Sequence, residues 1–143
     1  MIVTTRGEAE TSAVGRRLAQ TLTAGSIVLL IGDLGAGKTA LVRGLAEGLG
    51  IAPEEVTSPT FTLMQEYRGG RVTLIHVDLY RLDDAREIDD LGLEELGMDS
   101  VLAIEWAEKL PQPPAGAIRV AISHAGESER RLDITPSSGT HTL

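Results

Sequence analysis

A chain of 143 residues, 42% hydrophobic and 24% charged, has the size of one domain and enough apolar content for a packed core, which excludes global disorder. Cysteine is absent, so disulfides, thiolate metal sites and cysteine nucleophiles are excluded together. Thirteen Lys and Arg against 21 Asp and Glu give a net charge of −8, so no overall field draws in nucleic acid.

Along the chain, the start Met1-Ile2-Val3-Thr4-Thr5-Arg6 lacks the basic and apolar regions of a signal peptide. The longest aliphatic run, Ile27-Val28-Leu29-Leu30-Ile31, is far shorter than the ~20 residues that span a bilayer. A cytoplasmic protein without membrane contact is expected. Thr5-Arg6-Gly7-Glu8 reads as a capping box, with Thr5 as N-cap, opening a helix that carries Val14, Leu18 and Leu22 on one face and ends at Ala24-Gly25. Ser26 to Ile31 predicts a strand buried on both faces. A glycine-rich loop, Gly32 to Gly37, leads into a helix with Leu41, Val42, Leu45, Ala46 and Leu49 at helical spacing.

Residues 51–60 read as a loop punctuated by Pro53 and Pro59. Thr62–Tyr67 and Val72–Val77 flank a Gly-Gly centre and predict an antiparallel hairpin. Asp83 to Leu96 predicts one or two short helices broken near Gly92, followed by a buried strand, Val101–Ile104. Ala117–Ser123 and Leu132–Thr135 predict two terminal strands. The expected architecture is one α/β domain over residues 1–135, with a mostly parallel central sheet, a hairpin and flanking helices. A loose polar tail over residues 136–143 follows.

Charge is unevenly placed. Residues 83–108 hold ten acids and one base, Arg86, so this stretch carries −9 and the rest of the chain +1. Two readings stand open: a solvated helical face, and a docking surface for a basic partner.

Gly32-Asp33-Leu34-Gly35-Ala36-Gly37-Lys38-Thr39 satisfies the G-x-x-x-x-G-K-[ST] phosphate loop. The glycines let backbone N–H groups approach phosphate oxygens with no Cβ in the way, and the helix that follows presents its positive end to the anion. Asp33, Leu34, Gly35, Ala36, Gly37, Lys38, Thr39 and Ala40 are therefore the expected nucleotide contacts, with Lys38 on the β/γ-phosphates and the Thr39 hydroxyl on Mg²⁺. The motif sits between a buried strand and an amphipathic helix, the context it needs.

Such a loop requires a carboxylate near its metal, usually ending a neighbouring strand. Two runs end that way: Val72–Val77 in Asp78, and Val101–Ile104 in Glu105. Asp78 is the better Walker B acid, and Glu105 is a second metal ligand or the group that orients the attacking water. Where many such ATPases place a glutamate directly after the Walker B acid, this chain has Leu79, so either Glu105 substitutes from another strand or intrinsic hydrolysis is slow. Ser58-Pro59-Thr60 is either an ordinary turn or a switch whose hydroxyl senses the γ-phosphate. His76 shares a strand face with Asp78; its default role is structural, and that of Trp106 is packing. Asparagine is absent, which rules out the guanine-reading Asn-Lys-x-Asp motif and favours ATP. The competing activity is a small-molecule or nucleotide kinase, which needs an arginine-bearing lid and a second pocket for which the chain has little spare length.

With these segments in hand, the chain resembles the bacterial TsaE (YjeE) family. The resemblance is carried by the phosphate loop, Ser58-Pro59-Thr60-Phe61-Thr62-Leu63, His76-Val77-Asp78-Leu79-Tyr80-Arg81 and Ile104-Glu105-Trp106, in matching order over nearly the whole chain. It implies an ATPase component of tRNA threonylcarbamoyladenosine synthesis that works with TsaD and TsaB and meets tRNA through that complex. It further implies ATP and Mg²⁺ as cofactors, Thr39, Asp78 and Glu105 at the metal, and Thr60 in a switch segment. Thr11 is the implied contact near the adenine, and Arg131 flanks the base.

Overall fold

The computed structural model describes residues 1–32, 35–52, 54, 56 and 64–136. In chain order the elements are β1 (Ile2–Arg6), α1 (Gly7–Ala19), β2 (Ile27–Ile31), α2 (Gly35–Gly48), β3 (Met64–Tyr67) and β4 (Thr73–Asp78). They continue with α3 (Ala85–Asp89), α4 (Leu93–Leu96), β5 (Ser100–Glu105), β6 (Ile118–His124) and β7 (Glu129–Pro136). All seven strands join one sheet in the order β1-β7-β6-β2-β5-β4-β3. The inner strands β6, β2, β5 and β4 pair in parallel. Antiparallel pairs add β3 at one edge and β7 and β1 at the other.

The continuous aliphatic runs become inner strands because both of their faces are covered. Val28, Leu30, Leu74, Val101 and Ala103 pack with Val14, Leu41 and Leu45 of α1 and α2. Leu29, Ile75, Val77, Leu102 and Ile104 face the other way, under Ile88, Leu93 and Leu110. The two long helices approach closely at their crossing. A Cβ on Gly44 would collide with the Ser12 carbonyl of α1, so the glycine is required by backbone proximity. The Ser12 hydroxyl donates to the Ala40 carbonyl at 2.9 Å across the same crossing.

The hairpin, the pair of short helices, the buried strand at 100–105 and the two terminal strands lie where the sequence predicts them, with Gly92 left-handed between α3 and α4. β7 runs from Glu129 to Pro136, starting three residues before and ending one residue after the expected Leu132–Thr135, and residues 137–143 lie outside the described residues. The start of α1 differs. Thr5 is a β1 residue paired with Arg130, and Arg6 takes the N-cap position without a side-chain cap. Glu10, rather than Glu8, reaches back, accepting the Arg6 backbone N–H at 2.8 Å. Pairing with a strand more than a hundred residues away overrides the local capping signal. The helix also stops early, at Ala19, because Arg71 of the hairpin turn donates to the Ala19 and Leu22 carbonyls at 2.6 and 3.0 Å. A cation bonding terminal carbonyls is a favourable helix stop.

Candidate nucleotide site

The site forms where the inner strands end. β2 finishes at Ile31, and Gly32 turns the chain with φ of 113°. A side chain there would be strained and would strike the Ile122 carbonyl of β6, so only glycine serves. α2 begins at Gly35, and its first-turn N–H groups have no intrahelical acceptor and carry the positive end of the helix dipole. Lys38 and Ala40 are buried and Thr39 is half-buried. Asp33, Leu34 and Thr60 lie outside the described residues.

Beside α2 stand the two predicted acids. Asp78 and Glu105 are direct partners in the parallel register of β4 and β5. Strand alternation turns Leu74, His76 and Asp78 toward the face that α2 covers, together with Val101, Ala103 and Glu105. Leu79 belongs to the opposite core, with no exposure, so no hydrolytic glutamate equivalent exists at that position. Asp78 is half-buried, and its Oδ1 accepts the Tyr80 backbone N–H at 2.9 Å.

Glu105 is only 5% exposed and has two partners. Its Oε1 lies 3.6 Å from Lys38 Nζ and its Oε2 2.5 Å from His76 Nε2. Buried charges are tolerated when paired and hydrogen-bonded, which is the state of this cluster. The Lys38 ammonium also lies 4.9 Å from the centre of the Trp106 ring, a cation–π contact. Trp106 has φ of 59°, the one positive φ outside glycine among the described residues, and a bulky side chain there costs roughly 1–2 kcal/mol. Its ring meets that of Tyr80 in a tilted contact, with centroids 5.1 Å apart. Lys109 fastens the loop after Asp78, donating to the Tyr80 and Leu82 carbonyls at 2.6 and 3.1 Å and pairing with Asp83 at 3.2 Å.

The fold thus brings Lys38, Thr39, Asp78 and Glu105 to one end of the sheet. It treats two other predicted residues differently. Thr11 is buried at the β1–α1 junction, where its hydroxyl bonds the Thr5 hydroxyl at 2.7 Å and the Gly7 carbonyl at 3.2 Å. Arg131 is exposed on β7, between Thr4 and Ser123 of the neighbouring strands. Lys109 went unassigned in the sequence, although it is one of only two lysines. Among the described residues no cluster of three or more His, Cys, Asp or Glu could hold a metal alone. A hydroxyl and two carboxylates do fit Mg²⁺, which typically takes one or two carboxylates with phosphate oxygens and water.

On the other face, a groove of about 640 Å³ opens between α3, α4 and the 110–114 loop. Ile27, Leu102 and Ile104 form its floor, and Asp89, Glu94 and Glu95 stand at its rim.

A buried strand, a glycine turn and a helix that delivers a buried lysine to acids on neighbouring parallel strands define a P-loop NTPase-like fold. A family model described as "Threonylcarbamoyl adenosine biosynthesis protein TsaE" matches residues 5–132, and the chain belongs to the TsaE family. A Nostoc sp. relative named "tRNA threonylcarbamoyladenosine biosynthesis protein TsaE" is 48% identical over 132 residues, covering 89% of this chain and 80% of that protein. A Bacillus subtilis relative of the same name is 42% identical over 128 residues, covering 88% and 79%. The crystal structure of Bacillus subtilis YdiB matches with a TM-score of 0.75 at 34% identity, covering 97% of this chain and 86% of that one.

Proposed function

We propose that this protein binds Mg-ATP and hydrolyses it slowly when alone, in support of threonylcarbamoyl transfer to tRNA by TsaD and TsaB. The observation that carries the reading is the convergence of Lys38 and Glu105, both buried, beside Asp78 at the start of α2. Backbone N–H groups of residues 33–40 cradle the phosphates, and Lys38 leaves Glu105 to neutralise them. Thr39, Asp78 and Glu105 would hold Mg²⁺, which would supply charge neutralisation to the departing phosphoryl group. Glu105 orients the attacking water. The water oxygen bonds the γ-phosphorus as the bond to the β-γ bridging oxygen breaks, one water proton passes to the released phosphate or to solvent, and ADP and phosphate leave. Thr60 senses the γ-phosphate, while the start of α1 around Thr11 and Arg131 flank the base.

The β4–β5 crossover carries only a five-residue and a four-residue helix, too little for a kinase lid. The acidic stretch 83–108 is the proposed surface for TsaD and TsaB, with tRNA reached through them. Among the described residues no helix is long and apolar enough to cross a membrane, and we place the protein in the cytoplasm with its tRNA substrate complex. The test is Mg²⁺-dependent phosphate release, measured alone and with TsaD plus TsaB. Slow release that the pair accelerates supports the reading; rapid ATP consumption with a phosphorylated small molecule establishes a kinase instead.

A further inference from the structure

We propose that His76 is a positioning residue: it holds Glu105 in its working orientation once Lys38 has turned from that carboxylate to a phosphate. The inference rests on the nucleotide-site reading above and adds a role for a buried group that the reading does not use.

Glu105 has two partners, and only one of them stays. Lys38 Nζ, 3.6 Å from Oε1, is the group that the phosphates recruit. His76 Nε2, 2.5 Å from Oε2, is not free to follow. His76 has no exposure and sits mid-strand, paired with Gln65 of β3 on one side and Ala103 of β5 on the other. Strands on both flanks fix its backbone, so the ring is a stationary clamp on a carboxylate that would otherwise rotate about its last bonds. With Oε2 held, Oε1 is the oxygen left to face the metal and the water.

The other ring nitrogen supports this role over simple packing. Nδ1 is buried without a hydrogen-bond partner among the described residues. Among the described residues a hydrogen on Nδ1 would meet no acceptor, so the arrangement fits the tautomer with its hydrogen on Nε2, donating to Glu105. If the position served packing alone, an apolar side chain would fill it without leaving a buried polar atom unpartnered among the described residues. The histidine is therefore explained by its Nε2 contact.

The test is a mutant cycle of His76→Leu, His76→Gln, Glu105→Ala and the Leu/Ala double variant. It is read by phosphate release, Mg-ATP affinity and the ¹⁵N signals of the His76 ring in nucleotide-free protein. His76→Leu is expected to lower kcat by about 10–100-fold, the usual range for an outer partner of a site ligand, while affinity moves by less than about 3-fold. His76→Gln, whose amide N–H also reaches the carboxylate, recovers most of the loss. In the Glu105→Ala background, His76→Leu adds no further loss, because a residue that acts through another shows full coupling. The ring signals place the hydrogen on Nε2. Additive losses, equal damage from Leu and Gln, or a hydrogen on Nδ1 would each overturn the proposal. Should His76→Leu fail to fold, His76→Asn, with its amide too short to reach, replaces it in the cycle. Normal turnover in Glu105→Ala alone would instead overturn the role given to Glu105 in the reading above, and unchanged Mg-ATP affinity in Lys38→Ala would overturn the nucleotide site itself, so the failures are distinct.

Discussion

The two faces of the sheet are built to different standards. One is covered by helices of 13 and 14 residues, fitted so closely that Gly44 has no room for a methyl group against Ser12. The other is covered by helices of five and four residues and a proline-rich loop, with a groove left open and acids at its edge. The tight face is the one that carries Lys38, His76 and Glu105, all buried. Holding charges out of water requires exact partners and little freedom, because a misplaced buried charge costs several kcal/mol. A thin cover has no such duty, and it leaves apolar floor open with acids at its edge.

Breaking the tight face at its cation should give the largest effect. Lys38→Ala is expected to weaken Mg-ATP binding more than about 100-fold, because a charge-assisted contact to phosphate is lost. It should also destabilise the nucleotide-free fold by roughly 1–3 kcal/mol, since Glu105 is left buried without its cation. Calorimetry and thermal melting check both parts, and unchanged nucleotide affinity would overturn the phosphate-loop assignment. Next in size, Asp78→Ala and Glu105→Ala should each cut turnover by about 10–1,000-fold and nucleotide affinity far less, because such groups act mainly on charge that develops during phosphoryl transfer. A loss confined to Asp78 would reduce Glu105 to a partner that neutralises Lys38.

Gly44→Ala tests the fit itself. A methyl group pressed on a backbone carbonyl should cost about 1–3 kcal/mol, read as a lower unfolding midpoint in urea with nucleotide contacts untouched. The smallest stability effect belongs to the thin face. Asp89→Ser, Glu94→Ser and Glu95→Ser together should change folding stability by less than about 0.5 kcal/mol per site, as substitutions at exposed positions do. They should nevertheless weaken association with TsaD–TsaB, with a deficit that shrinks as salt is raised. Unaltered association at low salt would return these acids to the role of a solvated surface.

The tight face was also the more legible one. Strand, glycine loop and helix follow from Ile27–Ile31, Gly32–Gly37 and the Leu41–Leu49 spacing, since each depends on neighbours in sequence. The Gly69-Gly70 hairpin and the break at Gly92 are local signals too. β1 was not legible as a strand. Ile2–Arg6 has little alternation, and it becomes a strand only through pairing with β7. The same pairing moves the start of α1 and leaves Thr11 bonded to Thr5. At the site, Asp78 and Glu105 could be named because each ends an apolar run, whereas their side-by-side register could not. Alternation placed His76 on the face of Asp78, but its contact with Glu105 crosses strands 29 residues apart. The cation–π and tilted-ring contacts of Lys38, Trp106, Tyr80 and Lys109 likewise join segments that meet only in three dimensions.

The pairing of β1 with β7 also bears on how the molecule is made. The Met1 ammonium donates to the Ile134 carbonyl at 2.8 Å, and Thr5 lies opposite Arg130. On the ribosome, residues 2–6 therefore emerge long before residues 129–136 exist, and they must wait as an unpaired strand. The parallel inner strands face a similar delay, because β2 borders β5 and β6 rather than β3. Such distant pairings slow folding, since the loop between partners must close before any contact is gained. During translation, the α1–α2 pair and the β3–β4 hairpin are the units able to gather early, and the sheet closes only as the last strand is released. A chaperone that shields exposed strand edges would thus act on this chain chiefly in the interval before β7 arrives.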